Sequence, residues 1–213
     1  MWNKERWITA AILLGATAVM MFPLIMSWSG RNIPMVQELG LARGTWAPLH
    51  AWIAALLFAG AYIAYTFRVL PFVREQQREV SLFKLIGVAA AFASGIMEEV
   101  VFRRWLMDTV QSYGIGSAGQ VLLSGVIFGL FHLVWHAFSA DRRFSLYGAA
   151  STVVAGAALA VIYLLGGRNL GPCIAAHVLI NLVVEPWLVL AAVSGATSAK
   201  SALDRSQNRA KTR

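Results

Sequence analysis

The sequence has little charge and almost no cysteine. Of its 213 residues, 13% are Asp, Glu, Lys or Arg, whereas 58% are hydrophobic. So few charges exclude a soluble domain of ordinary composition and indicate a polytopic membrane protein. The single cysteine, Cys173, excludes an intrachain disulfide and a cysteine-based metal site. A catalytic thiol would suit a histidine four residues later, but a small buried side chain is the favoured interpretation.

Acidic residues are scarcer than basic ones, and the net charge is +8. The Lys and Arg residues fall between the apolar runs and at the C-terminus, as is typical beside anionic lipid. We therefore expect a lipid bilayer as partner and no nucleic acid.

Long apolar runs are abundant. A helix needs about 20 apolar residues to cross the hydrocarbon core. Six segments satisfy this length, at roughly 7–28, 46–67, 84–110, 118–138, 145–165 and 171–193. The sequence thus predicts an all-α, polytopic bundle of about six transmembrane helices. We expect a single transmembrane domain over 1–194, followed by a basic, disordered tail over 195–213.

The distribution of basic residues predicts the orientation. The first apolar run is too long for a signal peptide and is read as a retained helix. Most Lys and Arg between the spans then lie on one side, which predicts both termini in the cytoplasm. The expected location is the cytoplasmic membrane of a prokaryote. Segment 71–80 mixes charge with apolar residues and fits either an interfacial helix or a solvated loop.

The third span contains Glu98-Glu99-Val100-Val101-Phe102-Arg103. Charge inside hydrocarbon is costly, so such residues are functional candidates by default. Glu99 and Arg103, spaced i,i+4, share a helix face and are predicted to form an ion pair. Glu98 is rotated from Glu99 by about 100° and could face a cavity as a general base. The alternative is a purely structural cluster of these three side chains.

The fourth span contains Phe128-Gly129-Leu130-Phe131-His132. Gly125 and Gly129 form a G-x-x-x-G face, which predicts that His132 lies against a neighbouring helix. For His136, near the end of the span, an interhelical hydrogen bond is the favoured interpretation.

The last span contains His177-Val178-Leu179-Ile180-Asn181. His177, Asn181 and Glu185 recur at i, i+4 and i+8 and form one polar stripe. His177 and Asn181 could donate hydrogen bonds to a developing oxyanion. Glu185 precedes Pro186, which predicts a kink, and it could pair with Arg168 or a basic loop. The estimated depths of Glu98 and His177 match, and His132 lies deeper by an amount that helix tilt could largely absorb. Spans three, four and six are therefore expected to converge on one cavity.

These three motifs, in this order, resemble the CPBP family of intramembrane proteases. That family includes type II CAAX prenyl endopeptidases and bacterial bacteriocin-processing and self-immunity proteins. Its pattern is Glu-Glu-x-x-x-Arg, then Phe-x-x-x-His, then His-x-x-x-Asn, and the resemblance covers a protease core of about 83–190. By this resemblance the catalytic residues are Glu98, His132, His177 and Asn181, supported by Glu99 and Arg103.

The resemblance implies an endopeptidase that cuts a membrane-associated peptide or protein with water activated by Glu98, without a cofactor. A zinc protease with His132, His136 and His177 as ligands is the metal-dependent possibility. No glutamate lies between the first two histidines, which favours the metal-free interpretation. The sequence is also compatible with a non-catalytic immunity or binding protein, and with a transporter that uses Glu98 as a proton relay. Prenylated C-termini, leader peptides and C-terminal sorting tails all remain open as substrates.

Overall fold

The computed structural model describes residues 2–28, 39–40, 44, 46–140 and 142–196. The described residues form helices, and none of them forms a strand. The α-helices in chain order are α1 Lys4–Trp28, α2 Leu49–Val69, α3 Pro71–Gln76, α4 Leu82–Glu99, α5 Asp108–Ser112, α6 Ser117–Phe131, α7 Arg142–Leu165, α8 Gly171–Val184 and α9 Trp187–Ser194. A π-helix, Val100–Met107, joins α4 to α5, and a 3₁₀ helix, His132–Ala137, follows α6. Almost all of the predicted tail lies outside the described residues.

Five helical segments of the described chain are long and apolar enough to cross a membrane. One of them, Leu82–Ser112, contains α4, the π-helix and α5. Helices α8 and α9 are bent by 52° relative to each other and together could form a sixth span. The prediction of an all-α polytopic bundle with about six spans is confirmed. Segment 71–80 contains the short helix α3, which packs against α2 and α9.

The bend between α8 and α9 lies at Glu185 and Pro186, where the proline predicted a kink. Lys84, near the start of α4, donates hydrogen bonds from Nζ to the backbone oxygens of Leu182 and Glu185, each at 2.6 Å. It thereby satisfies carbonyls that the end of α8 leaves free. A Cβ on Gly87 would lie 2.6 Å from the Pro186 nitrogen. Helix α4 therefore packs backbone to backbone against the break.

Arg168, one of the two partners suggested for Glu185, binds other residues instead. Its guanidinium donates to Asp108 Oδ1 and to Gln120 Oε1, each at 2.5 Å. The Tyr163 hydroxyl also donates to Asp108, at 3.1 Å. This polar cluster joins α5, α6, α7 and the turn before α8 at one end of the bundle.

Helix α4 is central and packs against α1 and α8, while α8 also packs against α2. The contact between α4 and α8 is close at Gly95, where a Cβ would lie 2.6 Å from Val178 Cγ2. The G-x-x-x-G face of α6 packs against α7: a Cβ on Gly125 or Gly129 would lie 2.9 Å from an α7 carbonyl oxygen. Small residues therefore set the distances between the helices that carry the polar motifs.

Candidate active site

A fully buried carboxylate, Glu99, connects α4 to α8. Its Oε2 lies 3.1 Å from Arg103 Nε, and both side chains are 0% exposed. Its Oε1 lies 2.6 Å from His177 Nδ1. Arg103 also donates to the Gly156 carbonyl at 3.0 Å and lies over the Phe128 ring. The predicted i,i+4 ion pair is thus present, and a histidine of another helix extends it.

Arg103 lies in the π-helix, a form that occurs frequently at functional sites. Its wider turn begins directly after Glu99. Ser124 of α6 donates a hydrogen bond to the Phe102 carbonyl within this segment, at 3.2 Å. The sequence did not indicate the π-helix, because its composition is that of an ordinary apolar helix.

Glu98 faces the two imidazoles that the motifs singled out. Its Oε2 lies 3.7 Å from His132 Nε2 and 3.7 Å from His177 Nε2. These distances are too long for direct hydrogen bonds, and Oε2 has no hydrogen-bond partner among the described residues. A water molecule beside the three atoms could reach all of them. The site therefore offers a carboxylate and two ring nitrogens to one small polar molecule.

The hydrogen bonds made by Nδ1 of His132 and of His177 determine whether each Nε2 atom can donate or accept. His132 Nδ1 lies 2.8 Å from the Phe128 carbonyl oxygen, and His177 Nδ1 contacts the Glu99 carboxylate. Because both partners only accept, each Nδ1 carries a hydrogen. In a neutral ring Nε2 is then an acceptor. His177 can therefore donate from Nε2 to an oxyanion only when both of its nitrogens are protonated.

Asn181 lies one turn beyond His177 and contacts α4 as well. Its Nδ2 donates to Ser94 Oγ at 3.0 Å, which leaves its second amide hydrogen free of this bond. Ser94 lies one turn before Glu98, so both share the face of α4 that meets α8. Sequence reasoning missed Ser94. The signal that could have found it is its i,i+4 spacing from Glu98.

These side chains line a cavity of about 530 Å³ between the helices. Spans three, four and six converge on it, as predicted. Helices α1, α2 and α7 complete its walls, which was not predicted. Among its polar lining residues are Ser94, Glu98, His132, His177, Asn181 and Glu185.

No group of three or more His, Cys, Asp or Glu side chains in the described part of the chain could hold a metal ion. The side chain of His136, a ligand in the proposed zinc set, lies outside the described residues. Metal independence therefore stays a prediction.

The fold and the site define a helical membrane protein with a buried cluster of carboxylates and imidazoles in an intramembrane cavity. Residues 80–183 match the family described as type II CAAX prenyl endopeptidase Rce1-like. All three motifs fall within this segment, and the resemblance to CAAX-type intramembrane proteases is confirmed over it. No curated protein matches the chain, and no solved structure does.

Proposed function

We propose that this protein is an intramembrane endopeptidase in which Glu98 activates water to hydrolyse a peptide bond. The observation that carries the proposal is the position of Glu98 Oε2, which lies 3.7 Å from two Nε2 atoms and faces a cavity. A carboxylate in this setting can accept a proton from a water that the imidazoles orient. A cavity between helices also admits polar groups that lipid would exclude.

The proposed reaction has two steps. Glu98 takes a proton from water while the water oxygen bonds to the peptide carbonyl carbon, and negative charge moves to the carbonyl oxygen. Asn181, through its free amide hydrogen, and a doubly protonated His177 stabilise that oxyanion. The carbon–nitrogen bond then breaks, and the proton held by Glu98 passes to the leaving nitrogen. The products are a carboxylic acid and an amine.

Supporting residues hold this arrangement. Arg103 and His177 both bind Glu99, so the His177 ring is fixed from behind while its Nε2 faces Glu98. His132 is fixed by the Phe128 carbonyl in the same way. Fixed donors and acceptors stabilise charge in a transition state without reorganising at the moment of reaction.

The membrane-associated substrate and the orientation extend the proposal. We place both termini in the cytoplasm, on the side where most basic segments lie. The cavity continues from Glu98 past Asn181 to Glu185, at the end of α8 nearest the start of α4. The substrate is therefore expected to reach the site from the cytoplasmic side.

Glu98→Gln tests the proposal. Glutamine keeps the shape of glutamate but cannot take a proton from water, so cleavage of a panel of membrane-associated peptides should fall to background. Expression and thermal stability should remain close to those of the wild type. Glu79→Gln, the same change at a carboxylate that is not a lining residue of the cavity, serves as the control and should cleave normally. Undiminished cleavage by the Glu98 variant would remove this residue from the reaction.

A further inference from the structure

Glu185 is a second carboxylate in the cavity, and the proposed hydrolysis does not use it. Its Oε2 atom is buried and has no hydrogen-bond partner among the described residues. A buried acceptor without a donor is costly. Lys84 lies close enough to interact electrostatically with the Glu185 carboxylate, but it gives Oε2 no hydrogen bond. The atom is therefore suited to a donor that arrives with a ligand.

The nearest cation does not supply that donor. Lys84 Nζ contacts the backbone oxygens of Leu182 and Glu185 at 2.6 Å and that of Val183 at 3.5 Å. These three acceptors match the three hydrogens of an ammonium group. Lys84 thus donates its hydrogens to the carbonyls of the helix break and leaves Oε2 of Glu185 without a hydrogen bond.

The position of Glu185 relates it to the reacting centre. His177, Asn181 and Glu185 follow one another along the cavity wall, and the first and last are about 12 Å apart along the helix axis. An extended peptide advances about 3.3 Å per residue. A peptide whose reacting bond lies at Glu98 therefore brings a residue two to four positions away, by this rough estimate, to Glu185.

The apolar residues around Glu185 would strengthen its contact with a cation. Ile180, Val184 and Leu188 line the cavity beside Glu185. Apolar walls lower the local dielectric, and a carboxylate then binds a cation more strongly than it does in water.

We propose that Glu185 is a specificity-determining residue that binds a Lys or Arg side chain of the peptide. The position of that side chain, roughly two to four residues from the hydrolysed bond, rests on the proposed function. The binding itself is independent of hydrolysis.

The test measures binding in the Glu98→Gln protein, which does not hydrolyse the probe and cannot itself supply a charge at residue 98. The probes are fluorescein-labelled apolar peptides in detergent micelles that carry one Lys at successive positions, each with a norleucine counterpart of similar stem length. We expect one or two Lys positions to bind at least about tenfold tighter than norleucine, measured by fluorescence anisotropy. Adding Glu185→Gln should abolish that preference and leave the norleucine affinity unchanged.

Two further variants make the result specific. Glu185→Asp, also in the Glu98→Gln background, keeps the charge and should retain part of the preference for Lys. Glu79→Gln removes a carboxylate of the same kind away from the cavity lining and should retain all of it.

A preference for Lys that persists in Glu185→Gln, or that is absent at every position, would overturn the proposal. An equal loss of affinity for the Lys and norleucine peptides in Glu185→Gln, together with a lower melting temperature, would also overturn it. Glu185 would then only neutralise Lys84. Failure of the proposed function has a different signature. The wild type would cleave no peptide, while the Glu185-dependent preference for Lys in binding persisted.

Discussion

At the scale of single residues, the Glu99 carboxylate links its own span to α8. It contacts Arg103 within its own span and His177 across the interface with α8. Removing either charged partner leaves the other buried and uncompensated.

Glu99→Ala and Arg103→Ala should each destabilise the protein by about 3–5 kcal/mol. The double variant should be less damaging than the sum of the two, because no unpaired charge remains. Melting temperatures in one detergent would give the coupling. Arg104→Ala is the control: Arg104 is half-exposed and lies 3.8 Å from Asp108, so its loss should be mild. Additive effects of the first two changes would show that the pair is not coupled.

Ser94→Ala should lower turnover while leaving substrate affinity nearly unchanged. The Ser94 hydroxyl holds the Asn181 amide at 3.0 Å, and the amide is proposed to act on charge that develops only in the transition state. Loss of a complete oxyanion donor costs about 10²–10³ in rate, so a misaligned donor should cost less. Separate measurement of kcat and KM checks this.

A buried serine away from the cavity provides the comparison. Ser124→Ala removes a hydroxyl that binds the Phe102 carbonyl, and it should alter stability more than turnover. If Ser94→Ala raised KM at constant kcat, Ser94 would contact the substrate rather than position Asn181.

The sequence predicts contacts within one helix, but it does not predict contacts between helices that are far apart in the chain. Glu99 and Arg103 are neighbours on a helix whatever the fold, so their spacing alone predicts the pair. The bonds from His177 to Glu99 and from Asn181 to Ser94 join residues 78 and 87 positions apart. Such contacts depend on which helices pack together and at what register. Serine is also common in apolar spans, so only its i,i+4 spacing from Glu98 distinguishes Ser94 in the sequence.

At the scale of elements, the approach of α8 to α4 sets the distance between His177 and Glu99. Gly95 allows this approach, since a Cβ there would lie 2.6 Å from Val178 Cγ2 and 3.1 Å from its backbone nitrogen. The side chain can rotate, but the backbone can move only by shifting the helix.

Gly95→Ala should destabilise the protein by about 1–3 kcal/mol and reduce cleavage, because the shifted helix lengthens the contact between His177 and Glu99. Gly60→Ala is the matched control. Gly60 also lies in a helix, but a Cβ there would meet no atom within 4 Å. Thermal stability and cleavage rate should both be near normal in the control. Equal behaviour of the two variants would show that the approach at Gly95 does not position the site.

Two irregular elements differ in how far the sequence predicts them. Proline disrupts the hydrogen bonding of a helix, so Pro186 predicted the break after α8 from the sequence alone. The π-helix Val100–Met107 results from a change of hydrogen-bond partners along the backbone. No residue type signals that change, so its position could be found only in the folded structure.

At the scale of the whole molecule, hydropathy predicted the spans well because lipid imposes one strong constraint on every helix. It did not predict that α1, α2 and α7 also line the cavity. Their lining residues are mostly apolar. The hydropathy pattern of a span that faces a cavity with apolar residues is the same as that of a span that faces lipid.

An ion pair ties the first helix to the rest of the bundle. Arg6 of α1 donates two hydrogen bonds to Glu79, at 2.9 and 2.8 Å, and lies over the rings of Phe83 and Trp187. The hydrogen bonds from Arg6 lower the pKa of Glu79. The pair thus stabilises the fold above the unfolded-state pKa of about 4.3, and this contribution is lost as the pH falls through the lower folded value.

Glu79→Gln should lower stability by at most about 1 kcal/mol at neutral pH, because the pair is partly exposed. The difference from wild type should persist down to about pH 5 and disappear towards about pH 3. Melting curves of the two proteins in one detergent, taken across this range, check the prediction. A difference that grew on acidification would contradict the assigned role of Arg6.

The spacing of Glu99 and Arg103 also affects how the chain enters the bilayer during synthesis. Each charge at the centre of an isolated helix costs about 2.5–3.5 kcal/mol to insert. The span Leu82–Ser112 precedes His177 in the chain, so we expect it to enter lipid before α8 can contact it. Because Arg103 follows Glu99 by one turn, the two neutralise each other within the nascent helix. Arg104 and Asp108 have the same i,i+4 spacing nearer the end of the span. Glu98 has no such partner within the span and is left for the later helices to accommodate.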